Sequence, residues 1–273
     1  MKPVQFNYCS PKTLAEAWEE FLPDSVTKWL GGGQSLGPML NLRLARPNTL
    51  VQLSGIEELT HVEITKQYIR YGAMSRHADF EDGKLPDITG HMLQNIAAGI
   101  AYRAVRNRGT IGGSLAHADP AADWLNAMVA LDAKINITGK NGKRSVTATE
   151  FMLAAFTTVM TADEVIVSVD VPRLSDNARW GYSKYCRKPG ELSEATATVV
   201  VDPDRGYARI VLGALHGAPV PLEELADILA QKGLDTALEY VEEIVTPYVL
   251  SMSEYRRKIY AVIVKKALMQ LRG

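Results

Sequence analysis

The sequence predicts a two-part α+β protein. Strands and helices mix along the first two thirds of the chain, and the last third runs strands first and helices after. The second pattern suits an antiparallel sheet covered on one face by helices. A polar, turn-prone Ser175-Asp176-Asn177 separates the two textures, and at 47% apolar residues the chain can bury a proper core. A length of 273 residues fits one large or two ordinary domains.

The elements follow in order. Ser10-Pro11 reads as a helix cap with proline in the first turn, and Leu14, Ala17, Trp18, Phe21 and Leu22 recur at helical spacing. A strand-like run, 26–30, stops at three glycines, and a second strand, 49–53, follows the Arg46-Pro47 break. The segment 68–72 reads as a strand and 91–104 as a helix. The densest loop signal spans 106–114, and Asp119-Pro120 restarts a helix with Leu125, Met128 and Val129 as its buried stripe. Strands at 134–138 and 144–146 flank Asn141-Gly142, a strong hairpin signal, and 165–171 is an apolar strand closed by Pro172. After the boundary at 174–178, three strands (179–187, 195–201, 207–215) precede three helices (222–232, 235–245, 253–271).

Composition removes several functional classes. Lys plus Arg is 30 against 31 Asp plus Glu, without the basic excess of a nucleic-acid binder. No apolar stretch is long enough to span a bilayer, and the first residues, MKPVQFNYCS, lack the apolar core of a signal peptide. The expectation is a cytoplasmic chain. Two cysteines, Cys9 and Cys186, cannot supply the four thiolates of an ordinary iron–sulfur cluster. The five histidines show no pairing at metal-ligand spacing, and no catalytic triad emerges, so no metal is expected in this chain. Only His117, beside the second glycine cluster, reads as a functional candidate.

Two glycine clusters carry the chemistry. Gly31-Gly32-Gly33 could wrap backbone N–H groups around a phosphate, or form a plain tight turn. It matches neither a Walker A loop nor a dinucleotide fingerprint, because Leu36 stands where the third glycine belongs. Thr110-Ile111-Gly112-Gly113-Ser114 pairs two glycines with hydroxyls, downstream of Arg103, Arg106 and Arg108. Two such clusters suggest two contact points on one extended ligand such as a dinucleotide. Asp123 suits a ribose hydroxyl, or equally complements a helix dipole. Trp180, Tyr182, Lys184 and Cys186 share one strand face that suits a flat ring system, although Lys184 also reads as an ordinary snorkelling lysine. The basic residues of the last helix read as a solvated face or a docking surface.

GGGQSLGPMLNLRLARP (31–47) and RNRGTIGGSLAHADPAADW (106–124) resemble the two signature stretches of the FAD-binding medium subunits of molybdenum hydroxylases, the xanthine dehydrogenase and carbon monoxide dehydrogenase family. The similarity continues through GAMSRH (72–77), 163–172 and 253–271, and so covers essentially the whole chain. The resemblance implies a two-subdomain FAD domain of the vanillyl-alcohol-oxidase / p-cresol-methylhydroxylase type over 1–175, divided near 56, followed by a small α+β domain over 178–273 with a three-stranded antiparallel sheet.

Carried over by motif, Trp29, Leu30, Gly31, Gly32, Gly33, Gln34, Ser35 and Leu36 would hold the FAD diphosphate. Thr110, Ile111, Gly112, Gly113 and Ser114 would grip it from the other subdomain, with His117 assisting. Asp123, Ile166 and Lys184 fall at later FAD-contact positions, and Ile100 where an apolar residue covers the flavin. Ser114 replaces a common Asn, Gly31 a common Ala, and Gln52 stands where an Asp usually ends the strand.

The implied role is electron relay. A large partner subunit with a molybdenum–pterin centre would oxidise the substrate, and a small partner would pass electrons from two [2Fe–2S] clusters to this FAD. An external acceptor would receive them, in a dimer of heterotrimers. The alternative is a free-standing FAD oxidase or dehydrogenase of the same flavin fold.

Overall fold

The computed structural model describes residues 2–21 and 25–272; Leu22, placed by its spacing on the first helix, lies outside them. The chain opens with a small parallel sheet in the order β1-β3-β2, from β1 (Asn7–Cys9), β2 (Thr27–Leu30) and β3 (Thr49–Gln52). Between its strands run α1 (Leu14–Glu19) and α2 (Leu36–Asn41). The first helix starts later than the Ser10-Pro11 signal suggests. Thr13 caps it, accepting from Glu16 N at 3.2 Å, while the Glu16 carboxylate accepts from Lys12 N at 2.7 Å. Thr13 thus satisfies a first-turn donor of α1, and Glu16 reaches back to the residue before the cap.

The second sheet is antiparallel, in the order β4-β5-β10-β6-β7. Its strands are β4 (Val62–Ile64), β5 (Tyr68–Gly72), β6 (Lys134–Gly139), β7 (Gly142–Thr147) and, after a short β8 (Met152–Ala154) and β9 (Thr157–Thr158) hairpin, β10 (Val165–Pro172). Helices α3 (His77–Glu81), α4 (Met92–Ala98), α5 (Arg103–Arg106), α6 (Ile111–His117), α7 (Asp123–Ala130) and α8 (Ala148–Phe151) fill the connections. The cluster they bury with β5, β6 and β10 centres on Trp124, Tyr71 and Phe151, each at most 0% exposed.

Three expectations are corrected here. The helix expected over 91–104 breaks between α4 and α5, because the Arg106 guanidinium donates to the Ile100 and Ala101 carbonyls at 2.9 and 3.0 Å and Ala101 turns left-handed at φ 43°. The 110–114 stretch is the start of α6, not a loop; Thr110 caps it by accepting from Gly113 N at 3.1 Å. Asp119-Pro120 does not begin a helix, because Ala121 N turns back to Asp119 Oδ1 at 2.9 Å and α7 starts only at Asp123.

The third sheet, β11-β12-β13-β14, is antiparallel. It comprises β11 (Arg179–Tyr185), β12 (Ala195–Asp202), β13 (Tyr207–Gly213) and a two-residue β14 (Val220–Pro221) that extends the expected three strands to four. Helices α9 (Glu223–Lys232), α10 (Leu234–Val249) and α11 (Glu254–Met269) bury Ala195, Ala197 and Val199 of β12. The opposite face is not left to solvent, as one-face coverage would have it. Val200 and Val211 join the central cluster, and Asn126 of α7 donates to Thr196 Oγ1 at 2.8 Å. Both faces of β12 are dry, which is why it reads as a continuous run of small and β-branched residues.

Candidate functional site

The two glycine clusters meet. A side chain on Gly32 would lie 2.0 Å from the Arg108 carbonyl oxygen, so only glycine lets the first loop seat against the chain ahead of α6. Gly112 is equally constrained on the other side, since a Cβ there would lie 2.5 Å from that of Ala73. Beneath this junction opens a cavity of about 650 Å³, bounded by the β2–α2 loop, α6, the start of α7, Ile166 of β10 and residues 190–192 of the β11–β12 loop.

The loops differ in what they offer a ligand. Ile111 N donates to Ser75 O at 3.0 Å, Gly112 N to Ala73 O at 2.9 Å, Gly113 N to Thr110 Oγ1 at 3.1 Å and Ser114 N to Thr110 O at 3.0 Å. The donors at the start of α6 are therefore spent within the protein. Among the described residues, the N–H groups of Gly32, Gly33, Gln34 and Ser35 make no hydrogen bond to the protein. Successive free N–H groups on a glycine turn form a concavity for anionic oxygens. Gln52 Nε2 reaches the Gly31 carbonyl at 3.4 Å and Ser54 Oγ at 2.8 Å, which ties that turn to the end of β3 and gives a place to the residue that departs from the resembled pattern.

Most of the anticipated residues line the cavity: Trp29, Gly31, Gly32, Gly33, Gln34, Ser35, Leu36, Ile100, Thr110, Gly112, Gly113, Ser114, His117, Asp123 and Ile166. The Trp29 indole donates to the Ala162 carbonyl at 3.0 Å, and the His117 ring rests 5.2 Å from that of Phe156. Three residues stand behind the wall. Leu30 is held in the sheet, its carbonyl accepting from Leu53 N at 2.9 Å. Ile111 belongs to the central core at 0% exposed. Lys184 Nζ donates to the Gly99 carbonyl at 2.7 Å and to Asp123 Oδ1 at 3.0 Å. The β11 face expected to meet a flat ring thus meets protein instead; its Trp180 donates to the Gly90 carbonyl at 2.8 Å.

His77 is a wall residue that the sequence reading passed over. Trp124 Nε1 donates to its Nδ1 at 2.9 Å, so the neutral ring carries its proton on Nε2. Burial, with the nearby Arg106 guanidinium, pulls the imidazole down to about 4. Its signal was the GAMSRH stretch, where it looked like one more isolated histidine. Near the cavity, the Arg144 guanidinium holds the Glu164 carboxyl down to about 2. Among the described residues no group of three or more His, Cys, Asp or Glu side chains is placed to hold a metal ion, and no helix is long and apolar enough to cross a membrane.

Residues 4–174 match the family model described as the FAD binding domain in molybdopterin dehydrogenase. The chain is 32% identical over 234 residues to the nicotine 6-hydroxylase medium subunit of Paenarthrobacter nicotinovorans, covering 84% of this chain and 81% of that one. It is 35% identical over 202 residues to the carbon monoxide dehydrogenase medium chain of Hydrogenophaga pseudoflava, covering 74% and 70%. A solved structure of carbon monoxide dehydrogenase from the same organism superposes with a TM-score of 0.88 at 30% identity, over 100% of this chain and 99% of that one. Quinoline 2-oxidoreductase from Pseudomonas putida 86 superposes with a TM-score of 0.89 at 30% identity, over 99% and 98%. The sequence match over most of the chain, together with superposition along its whole length, places this protein in the family of FAD-binding domains of molybdopterin dehydrogenases.

Proposed function

We propose that this chain is the FAD-carrying electron-transfer subunit of a molybdenum hydroxylase. It takes electrons from the [2Fe–2S] clusters of a small partner subunit and passes them to an external acceptor. A large partner subunit with a molybdenum–pterin centre performs the substrate chemistry, in a cytoplasmic dimer of heterotrimers. The observation that carries this reading is the β2–α2 turn on the wall of a cavity of about 650 Å³, where the N–H groups of Gly32, Gly33, Gln34 and Ser35 find no acceptor among the described residues. Bound FAD supplies a redox centre able to accept electrons and hand them on.

The chain's own residues bind and orient. Gly32, Gly33, Gln34 and Ser35 offer N–H donors suited to a diphosphate, and Gln52 keeps their turn in place through the Gly31 carbonyl. Gly113, Ser114 and His117 offer a bare backbone edge, a hydroxyl and a ring from the facing wall. Ile100 and Ile166 provide apolar cover, and Asp123 offers acceptor oxygens. In this reading 1–175 forms the flavin-holding part and 178–273 the part that braces it.

The test is a tagged copy of the chain recovered from its native host. We expect two further chains, together with molybdenum and iron, and substrate oxidation with a dye only from that assembly. The chain alone should still pass electrons from a small reductant to dyes. A lone chain that turns over the organic substrate as fast as the assembly would favour the free-standing flavoenzyme.

A further inference from the structure

Asp123 lies in the first turn of α7, 8% exposed, on the cavity wall. Its Oδ1 accepts both the Tyr182 hydroxyl and the Lys184 ammonium, the latter at 3.0 Å. Lys184 is itself fixed, donating to the Gly99 carbonyl at 2.7 Å at the end of α4. Both donors stand two residues apart on β11, and therefore on one face of a strand paired with β12 from Arg179↔Val201 to Tyr185↔Ala195. A side chain anchored in such a ladder has little freedom to follow a moving partner. Oδ2 of Asp123 accepts no hydrogen bond from the described residues. One oxygen of this cavity-wall carboxylate is clamped, and the other has no partner among the described residues.

We infer that Tyr182, acting together with Lys184, is a positioning residue that holds Asp123 so that Oδ2 is presented to a hydroxyl or N–H donor of bound FAD. The inference rests on the flavin reading above. Its consequence is that the cavity wall is braced from behind by β11, which lies outside the 4–174 segment matched by the family model. Tyr182 touches no ligand in this scheme. It acts by denying Asp123 the rotation that would turn Oδ2 away, and by satisfying, with Lys184, the oxygen that would otherwise need water in a dry corner.

The test is a double-mutant cycle in the full-length chain, with FAD titrated into the apoprotein and followed by flavin fluorescence. Tyr182→Phe should raise the FAD Kd by about tenfold, the scale of one hydrogen bond to a charged group. In an Asp123→Ala background the same change should add nothing, because the group it positions is gone. A purely packing role would cost the same factor in both backgrounds and would overturn the inference, as would an unchanged Kd for Tyr182→Phe. If Tyr182→Phe does not fold, Lys184→Met in the same two backgrounds reads the same oxygen, with the same expected and overturning results. Wild-type chain that takes up no FAD would instead bring down the flavin reading, and this inference with it.

Discussion

His77 is folded as a neutral ring, buried against Trp124 with its imidazole pulled from 6.5 to about 4. Between those values the unfolded chain binds a proton that the folded chain refuses. The stability this residue contributes is therefore whole above pH 6.5 and is lost as the pH falls towards 4. The loss between pH 7 and pH 5 is about 2 kcal/mol. Urea unfolding of wild type and His77→Gln at the two pH values checks it: the wild-type loss should exceed that of the variant by that amount. Parallel losses would show that His77 does not titrate on unfolding. Residues of this kind were the least legible from sequence. His77 and Gln52 work through Trp124 and the Gly31 carbonyl, 47 and 21 positions away, and a string of letters does not show which distant atom a polar group will meet. Lys184 was expected at an FAD-contact position, and its side chain turns to Asp123 and Gly99.

Elements whose pattern is local came through well. Tyr68–Gly72 alternates over a half-buried strand and forms β5 over those residues, and the apolar run closed by Pro172 forms β10. The misses have tertiary causes. β1 and β4 are three residues each and exist because β3 and β5 lie beside them. The glycines of α6 looked like a loop because glycine disfavours helix, yet packing against Ala73 demands a residue without Cβ at Gly112. The β2–α2 loop offers a test at this scale. In Gly32→Ala the new methyl would lie 2.0 Å from the Arg108 oxygen, so the loop must lift from the chain ahead of α6. A loss of about 1–3 kcal/mol in stability and a collapse of flavin retention are expected, the range for overpacking. Gly37, in α2, has nothing within 4 Å of its Cβ position. Gly37→Ala should keep flavin and gain about 0.5–1 kcal/mol from helix propensity. Thermal unfolding and flavin content of the two purified variants settle the contrast; equal behaviour would mean that loop docking does not matter.

At the scale of the molecule, three sheets converge on one cavity. The small parallel sheet delivers the glycine turn, the second sheet carries Ile166, and β11 of the third reaches across to Asp123. The Trp18 and Trp29 indoles donate to the Asp163 and Ala162 carbonyls at 3.0 Å each, pinning α1 and β2 to the chain just ahead of the strand that bears Ile166. The order of elements, mixed through β10 and strands before helices after it, was legible from the sequence. Burial of the third sheet on both faces was not, since only the run of small and β-branched residues in β12 hints at it. The cavity is expected to hold FAD without a covalent bond. The most direct measurement of this is the flavin content of the purified, folded chain before and after denaturation. One FAD per chain is expected, released wholly to the supernatant when the protein is denatured. A folded chain that neither contains FAD nor takes it up when supplied would contradict it.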